Sequence, residues 1–218
     1  MKPKSIRYAG WAIFLGLAFY YIHHNAIGYF DLSSTIYSNG FQYFKAFIIG
    51  HIFFGVLALL VGPFQFMPAI RIKYASVHRK LGLLYLMSVS LAGLAGGYLA
   101  IFDNIIRKKD FMFGAGALAM DLAWFVTGAM AFWAVKKRAY TQHREWMVRN
   151  YVLTSNFIIF RLIFYALLDS KHFAFQSDTG SFTVWVSWSV PLLVTELVIQ
   201  AKKIDGYGRV GERKAVRA

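Results

Sequence analysis

Residues 46–64 read AFIIGHIFFGVLALLVGPF, a run of 19 residues in which His51 is the one ionisable side chain. About 20 apolar residues in a row are enough for a helix to cross the hydrocarbon core of a bilayer. Runs of this kind lie near residues 8–22, 43–67, 81–102, 112–135, 147–168 and 182–201. The sequence therefore predicts an all-α integral membrane protein, a bundle of six transmembrane helices.

The composition supports this prediction and excludes several classes of site. Of the 218 residues, 58% are hydrophobic and 18% aromatic, whereas soluble domains are roughly 45–50% apolar. A net charge of +14 would by itself suit a nucleic-acid-binding domain, but so apolar a chain indicates that the charge serves membrane orientation, and we expect no nucleic-acid partner. The chain has no cysteine, which excludes disulfides, thiolate metal sites and cysteine nucleophiles.

The basic residues predict which way the bundle faces. If the N-terminus is inside, 17 basic residues lie in inner segments and 5 in outer segments or helix ends. The inner ones are Lys2, Lys4, Arg7, Arg71, Lys73, Arg79, Lys80, Lys136, Lys137, Arg138, Arg144, Lys202, Lys203, Arg209, Arg213, Lys214 and Arg217. This bias follows the positive-inside rule and predicts that both termini are cytoplasmic. We divide the chain into one transmembrane domain, residues 1–201, and a basic, partly disordered cytoplasmic tail, residues 202–218, lying along anionic headgroups.

Three ionisable residues are predicted to lie at a similar depth within the outer half of the membrane. They are His51, Asp121 and Arg161, each about 7 to 9 residues from the outer end of its predicted span, or roughly 10–14 Å of helix. Charges within spans are costly and often functional. Asp121 and Arg161 could form a structural ion pair, or His51 could be a haem ligand or a proton-relay group. Small residues over 92–97 leave room at this level.

Two His-Arg pairs open two predicted helices that both run from inside to outside. His78-Arg79 and His143-Arg144 are separated by 65 residues and precede equivalent spans. Two histidines at one depth could bind a haem iron, with the adjacent arginines pairing with its propionates. The alternative is that both pairs are anchors at the level of the lipid headgroups.

These motifs together resemble a known family. The residues that carry the resemblance are His51, Gly62-Pro63-Phe64-Gln65-Phe66, Arg71, His78-Arg79-Lys80-Leu81-Gly82, His143-Arg144-Glu145-Trp146-Met147 and Arg161. The chain resembles, over about residues 45–165, a family of predicted bacterial membrane proteins catalogued as domain of unknown function 2306. The resemblance implies a bacterial inner-membrane location and assigns His51, both His-Arg pairs and Arg161 to the family pattern. It implies no reaction.

A looser likeness is to diheme b-type membrane cytochromes, which carry histidines on several helices. His51, His78 and His143 are one ligand short of the four that two bis-histidine haems require. The leading hypothesis is a membrane redox protein that binds haem b through His78 and His143, has a second site at His51, and exchanges electrons with quinone. The alternatives are a proton-coupled transporter lined by His51, Asp121 and Arg161, and a non-catalytic subunit that docks on another membrane protein.

Overall fold

The computed structural model describes residues 4–34, 36–37, 43–170 and 176–215, and every regular element in those ranges is helical. The helices are α1 (Lys4–Asn25), α2 (Lys45–Gln65), α3 (Pro68–Lys73), α4 (Ala75–Tyr98), α5 (Phe111–Lys136), α6 (Tyr140–Thr154), α7 (Asn156–Ser170) and α8 (Gln176–Ala215). A 3₁₀ turn, Ile27–Phe30, follows α1, and a π-helical segment, Leu99–Arg107, continues α4. The predicted all-α fold is confirmed.

Five stretches of the described chain are long and apolar enough to cross a membrane. They are Lys45–Gln65, Ala75–Arg107, Phe111–Lys136, Tyr140–Leu168 and Asp178–Asp205. Their outward faces carry large apolar side chains: Leu94 and Leu122 are each 65% exposed, and Leu197 is 62% exposed. Such faces are unfavourable in water and suit contact with lipid tails. α1 is not among the five stretches, so the count of six spans stays a prediction, as does the partly disordered tail.

The helices alternate in direction, which gives the bundle two distinct ends. We call the end that holds α3 and the starts of α4 and α6 the basic end, because Arg71, Arg79 and Arg144 are exposed there. α2, α5 and α8 run toward this end, whereas α4 and α6–α7 run away from it. The last residue of α1, Asn25, accepts a 2.7 Å hydrogen bond from Tyr165 of α7, which places the end of α1 at the opposite end of the bundle.

Glycines allow the helices to pack closely around an aromatic core. A Cβ atom on Gly62 of α2 would lie 2.1 Å from the ring of Tyr151 on α6, and one on Gly93 of α4 would lie 2.9 Å from Phe125 on α5. Tyr151 also donates a 2.9 Å hydrogen bond to the Leu59 carbonyl oxygen. The packing around Tyr151 therefore fixes α6 against α2.

Two predicted spans differ in detail from the helices that form. The span predicted at 147–168 is two helices, α6 and α7, which are separated at Ser155; the carbonyl oxygen of Ser155 accepts from both Ile158 and Ile159. The span predicted at 81–102 begins at Ala75 and ends only at Arg107, because the π segment carries it beyond its last apolar residues. His78 and His143 are consequently inside helices, each as the fourth residue.

Candidate functional site

The three intramembrane residues predicted from depth, His51, Asp121 and Arg161, line one cavity of about 350 Å³. It lies in the half of the bundle away from the basic end and reaches Lys108, whose side chain is 40% exposed. α2, α5, α6, α7 and the π segment all contribute to its wall. The other polar residues of the lining are Asn25, Tyr29, Asp103, Asn104, Trp124, Thr154 and Asn156.

His51 is held in one orientation on the cavity wall. Its Nδ1 lies 2.9 Å from the carbonyl oxygen of Ala92, and because a carbonyl only accepts, Nδ1 carries the proton. The ring packs on Gly96, where a Cβ atom would lie 2.7 Å from Nδ1. Nε2 forms no hydrogen bond with any residue that the structure describes, so a neutral His51 offers the cavity a lone pair.

Asp121 and Arg161 share the cavity without pairing. Asp121 is 4% exposed and its Oδ1 has no hydrogen-bond partner in the described structure. Nε of Arg161 is likewise buried without a partner, and its guanidinium lies over the ring of Phe160. Within the described ranges the two residues form no ion pair. The structural ion pair considered from the sequence is therefore not formed, and both groups are available to a bound molecule.

The break between α6 and α7 lies on the cavity wall. Thr154 ends α6 and Asn156 begins α7, and both line the cavity. The side-chain nitrogen of Asn156 donates to the sulfur of Met120 (2.9 Å), and its Oδ1 is buried without a partner in the described chain. Broken helices of this kind commonly mark binding sites in membrane transporters.

The π segment forms the rim of the cavity. Asp103 is fully buried there and is neutralised by Arg107, whose Nε lies 2.6 Å from Oδ1, and by Lys108, whose Nζ lies 2.7 Å from Oδ2. Long π-helical stretches are rare and are found frequently at functional sites. Both irregular stretches of the membrane helices thus meet at one cavity.

A hydrogen-bonded network closes the cavity toward the basic end. Tyr85, fully buried, donates to Asn150 (2.7 Å) and lies 2.7 Å from Thr154 Oγ1, which also accepts from Trp124 Nε1 (2.9 Å). Asn150 in turn donates to the Trp124 carbonyl oxygen and to Thr127. Trp124 and Thr154 line the cavity. Because its buried groups are paired, this network is a rigid floor.

The two His-Arg pairs lie beyond this floor. His78 and His143 precede Tyr85 and Asn150 by seven residues each, so they lie at a common level about 10 Å nearer the basic end. Nδ1 of His143 lies 2.8 Å from the Ala131 carbonyl oxygen, and the imidazoles are close enough to interact electrostatically. Nδ1 of His78 is buried without a partner in the described part of the chain, whereas Arg79 and Arg144 are exposed.

Several residues that build this region were missed from the sequence. Asn156 and the start of α7 were not singled out, although Thr154-Ser155-Asn156, three polar residues in an apolar span, could have indicated the break. The contact of Glu196 with Arg149, which is 8% exposed and donates to it at 2.7 Å, was likewise not predicted. Among the described residues, no three histidine, aspartate or glutamate side chains converge as a metal site.

The sequence model of a protein family, described as predicted membrane protein (DUF2306), matches residues 48–199. The matched range includes the cavity residues of α2, α5 and α7 and both His-Arg pairs. No curated protein and no solved structure gives a significant match to the chain.

Proposed function

We propose that this chain, which belongs to the DUF2306 family of predicted membrane proteins, is a proton-coupled carrier of a small solute. The family name implies a membrane location and no reaction, so the proposal rests on the cavity. The observation that carries this proposal is that Asp121, with a buried, unpartnered Oδ1, and Arg161, with an equally unpartnered Nε, line one cavity, whose wall includes the break between α6 and α7. Ionisable groups inside a membrane commonly belong to substrate or proton pathways.

The proposal includes a topology. α1 is the sixth span, the basic end faces the cytoplasm, and both termini are cytoplasmic, in agreement with the positive-inside rule. The cavity then faces the outside of the cell, which for a bacterial inner membrane is the periplasm, and the floor around Tyr85 and Asn150 closes the cytoplasmic side. The basic tail rests on anionic headgroups. Alternating access requires this floor to open and the rim around Asp103 to close.

Purified protein in liposomes that contain a pH-sensitive dye tests the carrier. Solutes are added outside in classes: organic acids, amino acids, amines and sugars. We expect one class to move protons into the liposomes, and we expect Asp121→Asn to abolish that movement in a protein that still folds. Asp31→Asn, the same change at an exposed carboxylate, is the control and should leave it unchanged. No solute-dependent proton movement in any class, or an Asp121→Asn protein that simply unfolds, contradicts the proposal.

A second candidate is the membrane redox protein with haem b, favoured by the geometry of His143. Its Nδ1 bond to a backbone carbonyl is the arrangement typical of metal-ligating histidines, because it leaves Nε2 free for the metal. His78 would be the second histidine that holds the haem iron, and the exposed Arg79 and Arg144 would pair with propionates. His51 would serve a second site, where Met120 is a poor partner because its sulfur already accepts from Asn156. Quinone and another membrane subunit are the proposed partners.

An absorbance spectrum of the purified protein, from cells supplied with haem, tests this candidate. A Soret band that is lost in His143→Ala and kept in His24→Ala, a histidine exposed at the end of α1, is the expected result. A wild-type protein that carries no haem contradicts it.

A further inference from the structure

We propose that the cavity binds a small organic monoanion, a carboxylate on an apolar body, and that Asp121 takes up one proton when the anion binds. This names the substrate class of the proposed carrier and therefore rests on that function.

The cationic groups of the cavity suit a carboxylate. Nε of Arg161 is buried and unpartnered, and a guanidinium binds carboxylates through two parallel hydrogen bonds. α7, a helix of 15 residues, begins on the same wall at Asn156. Arg161 follows Asn156 by five residues, so both act from one helix.

The charge balance of the cavity leads us to expect that a proton accompanies the anion. If Asp121 is ionised in the empty cavity, it balances Arg161, and Asp103 balances Lys108 within the lining. An added carboxylate would then leave one uncompensated negative charge inside the membrane, which is unfavourable. Protonation of Asp121 restores neutrality. The protonated carboxyl group also gains an O–H donor for the second oxygen of the ligand.

Asp121 is the group in position to take the proton. Asp103 already forms ion pairs with Arg107 and Lys108 at the rim. His51 is the other titratable group facing Asp121, and its protonation would add a positive charge beside Arg161. α6 contributes Leu153 and Thr154, α8 contributes Val184, and α1 with its 3₁₀ turn contributes Asn25 and Tyr29 to the described lining. None of these is charged.

The rest of the lining fits an apolar body. Ile52, Val56, Leu59, Phe157 and Phe160 surround the space next to the polar groups. A cavity of about 350 Å³ lies at the small end of ligand sites, which run from roughly 300 to 1,000 Å³. A benzoate-sized molecule is therefore a suitable probe, and a neutral sugar is not.

Calorimetric titration of the full-length protein in detergent tests the inference. Benzoate is the probe, benzamide its neutral isostere, benzylamine the cation and phenylalanine the zwitterion. Between about pH 6 and pH 8 benzoate stays ionised, and we expect its affinity to fall up to tenfold for each pH unit as the pH rises, because one proton is taken up. Repeating the wild-type titration in buffers of different ionisation enthalpy should show uptake of one proton per benzoate.

Variants assign the roles of the two charged residues. Asp121→Asn should bind benzoate at least as tightly as wild type, with no pH dependence and no proton uptake, because the amide imitates the neutral acid. Arg161→Gln should lose affinity by about 100-fold, as expected when one partner of a buried charge pair is removed. His51→Gln should keep the pH dependence.

Benzoate binding without proton uptake overturns the inference, and so does preferred binding of benzylamine, phenylalanine or benzamide. A pH slope that persists in Asp121→Asn and disappears in His51→Gln assigns the proton to His51 and also overturns it. Because the wild-type buffer series needs no variant, an unfolded variant does not remove the test. If benzoate binds with proton uptake but no solute moves protons in the liposomes, the carrier function is refuted and the ligand class stands. If only solutes of another class move protons, the ligand class is refuted and the carrier function stands.

Discussion

At the scale of single residues, the cavity depends on a glycine that brings its two polar walls together. Gly96 lies on α4 opposite His51 and Asp121, and the imidazole could not reach the Ala92 carbonyl oxygen if this position carried a side chain. The small-residue run over 92–97 indicated that there would be room at this level. Which of its glycines matters could not be read from the sequence, because that depends on the rotation of α4 about its axis.

We expect Gly96→Ala to weaken both folding and ligand binding. The new Cβ would lie 2.7 Å from His51 Nδ1 and 3.0 Å from Asp121 Oδ2, so the imidazole must leave its carbonyl acceptor, at a cost of about 1–3 kcal/mol. Thermal unfolding in detergent and benzoate titration measure the two effects. Gly97→Ala is the matched control, since its Cβ would meet Asp121 Oδ2 at an ordinary 3.8 Å. Equal behaviour of the two variants contradicts the role of Gly96.

At the scale of helices, the sequence predicts where the apolar helices lie better than where they are interrupted. Apolar runs located the five membrane-crossing stretches, and counting residues from their ends brought His51, Asp121 and Arg161 to one level. The break at Ser155 and the π segment were not predicted, because both lie in runs that remain apolar enough to read as continuous spans. Contacts between helices, such as Tyr85 with Asn150 and Arg149 with Glu196, depend on which faces meet and leave no periodic signal.

We expect the contact between α2 and α6 to be sensitive to a single methyl group. In Gly62→Ala the Cβ would lie 2.1 Å from the Tyr151 ring, so Tyr151 must move and lose its hydrogen bond to Leu59. The expected loss is about 1–3 kcal/mol, which exceeds the gain of up to about 1 kcal/mol in helix propensity. Thermal unfolding in detergent measures it.

The control for Gly62→Ala is Gly55→Ala, two turns earlier on the same helix. Its Cβ would have no neighbour within 4 Å, so this variant should unfold at or above the wild-type temperature. A Gly62→Ala protein as stable as Gly55→Ala would show that Tyr151 does not fix α6 against α2.

At the scale of the whole molecule, the exposed charge and the cavity distinguish the two ends of the bundle. Four exposed arginines, Arg71, Arg79, Arg138 and Arg144, lie at the end where α4 and α6 begin. The cavity lies in the other half, with the floor around Tyr85 between them. If the basic end is cytoplasmic, the cavity of this conformation lies toward the outside of the cell. The orientation of the bundle therefore decides from which side of the membrane a solute would reach it.

The absence of cysteine makes this orientation directly measurable, because each introduced cysteine is the only thiol in the protein. Lys109 and Arg138 are a matched pair: both have positive φ, 55° and 59°, and they lie in turns at opposite ends of α5. In intact cells a membrane-impermeant maleimide should label Lys109→Cys, and it should reach Arg138→Cys only after permeabilisation. Lys4→Cys, at the start of α1, should behave like Arg138→Cys if α1 is the sixth span. If Lys4→Cys is labelled in intact cells while Arg138→Cys is protected, the bundle has five spans. If Arg138→Cys is labelled in intact cells, the whole bundle has the opposite orientation and the cavity faces the cytoplasm.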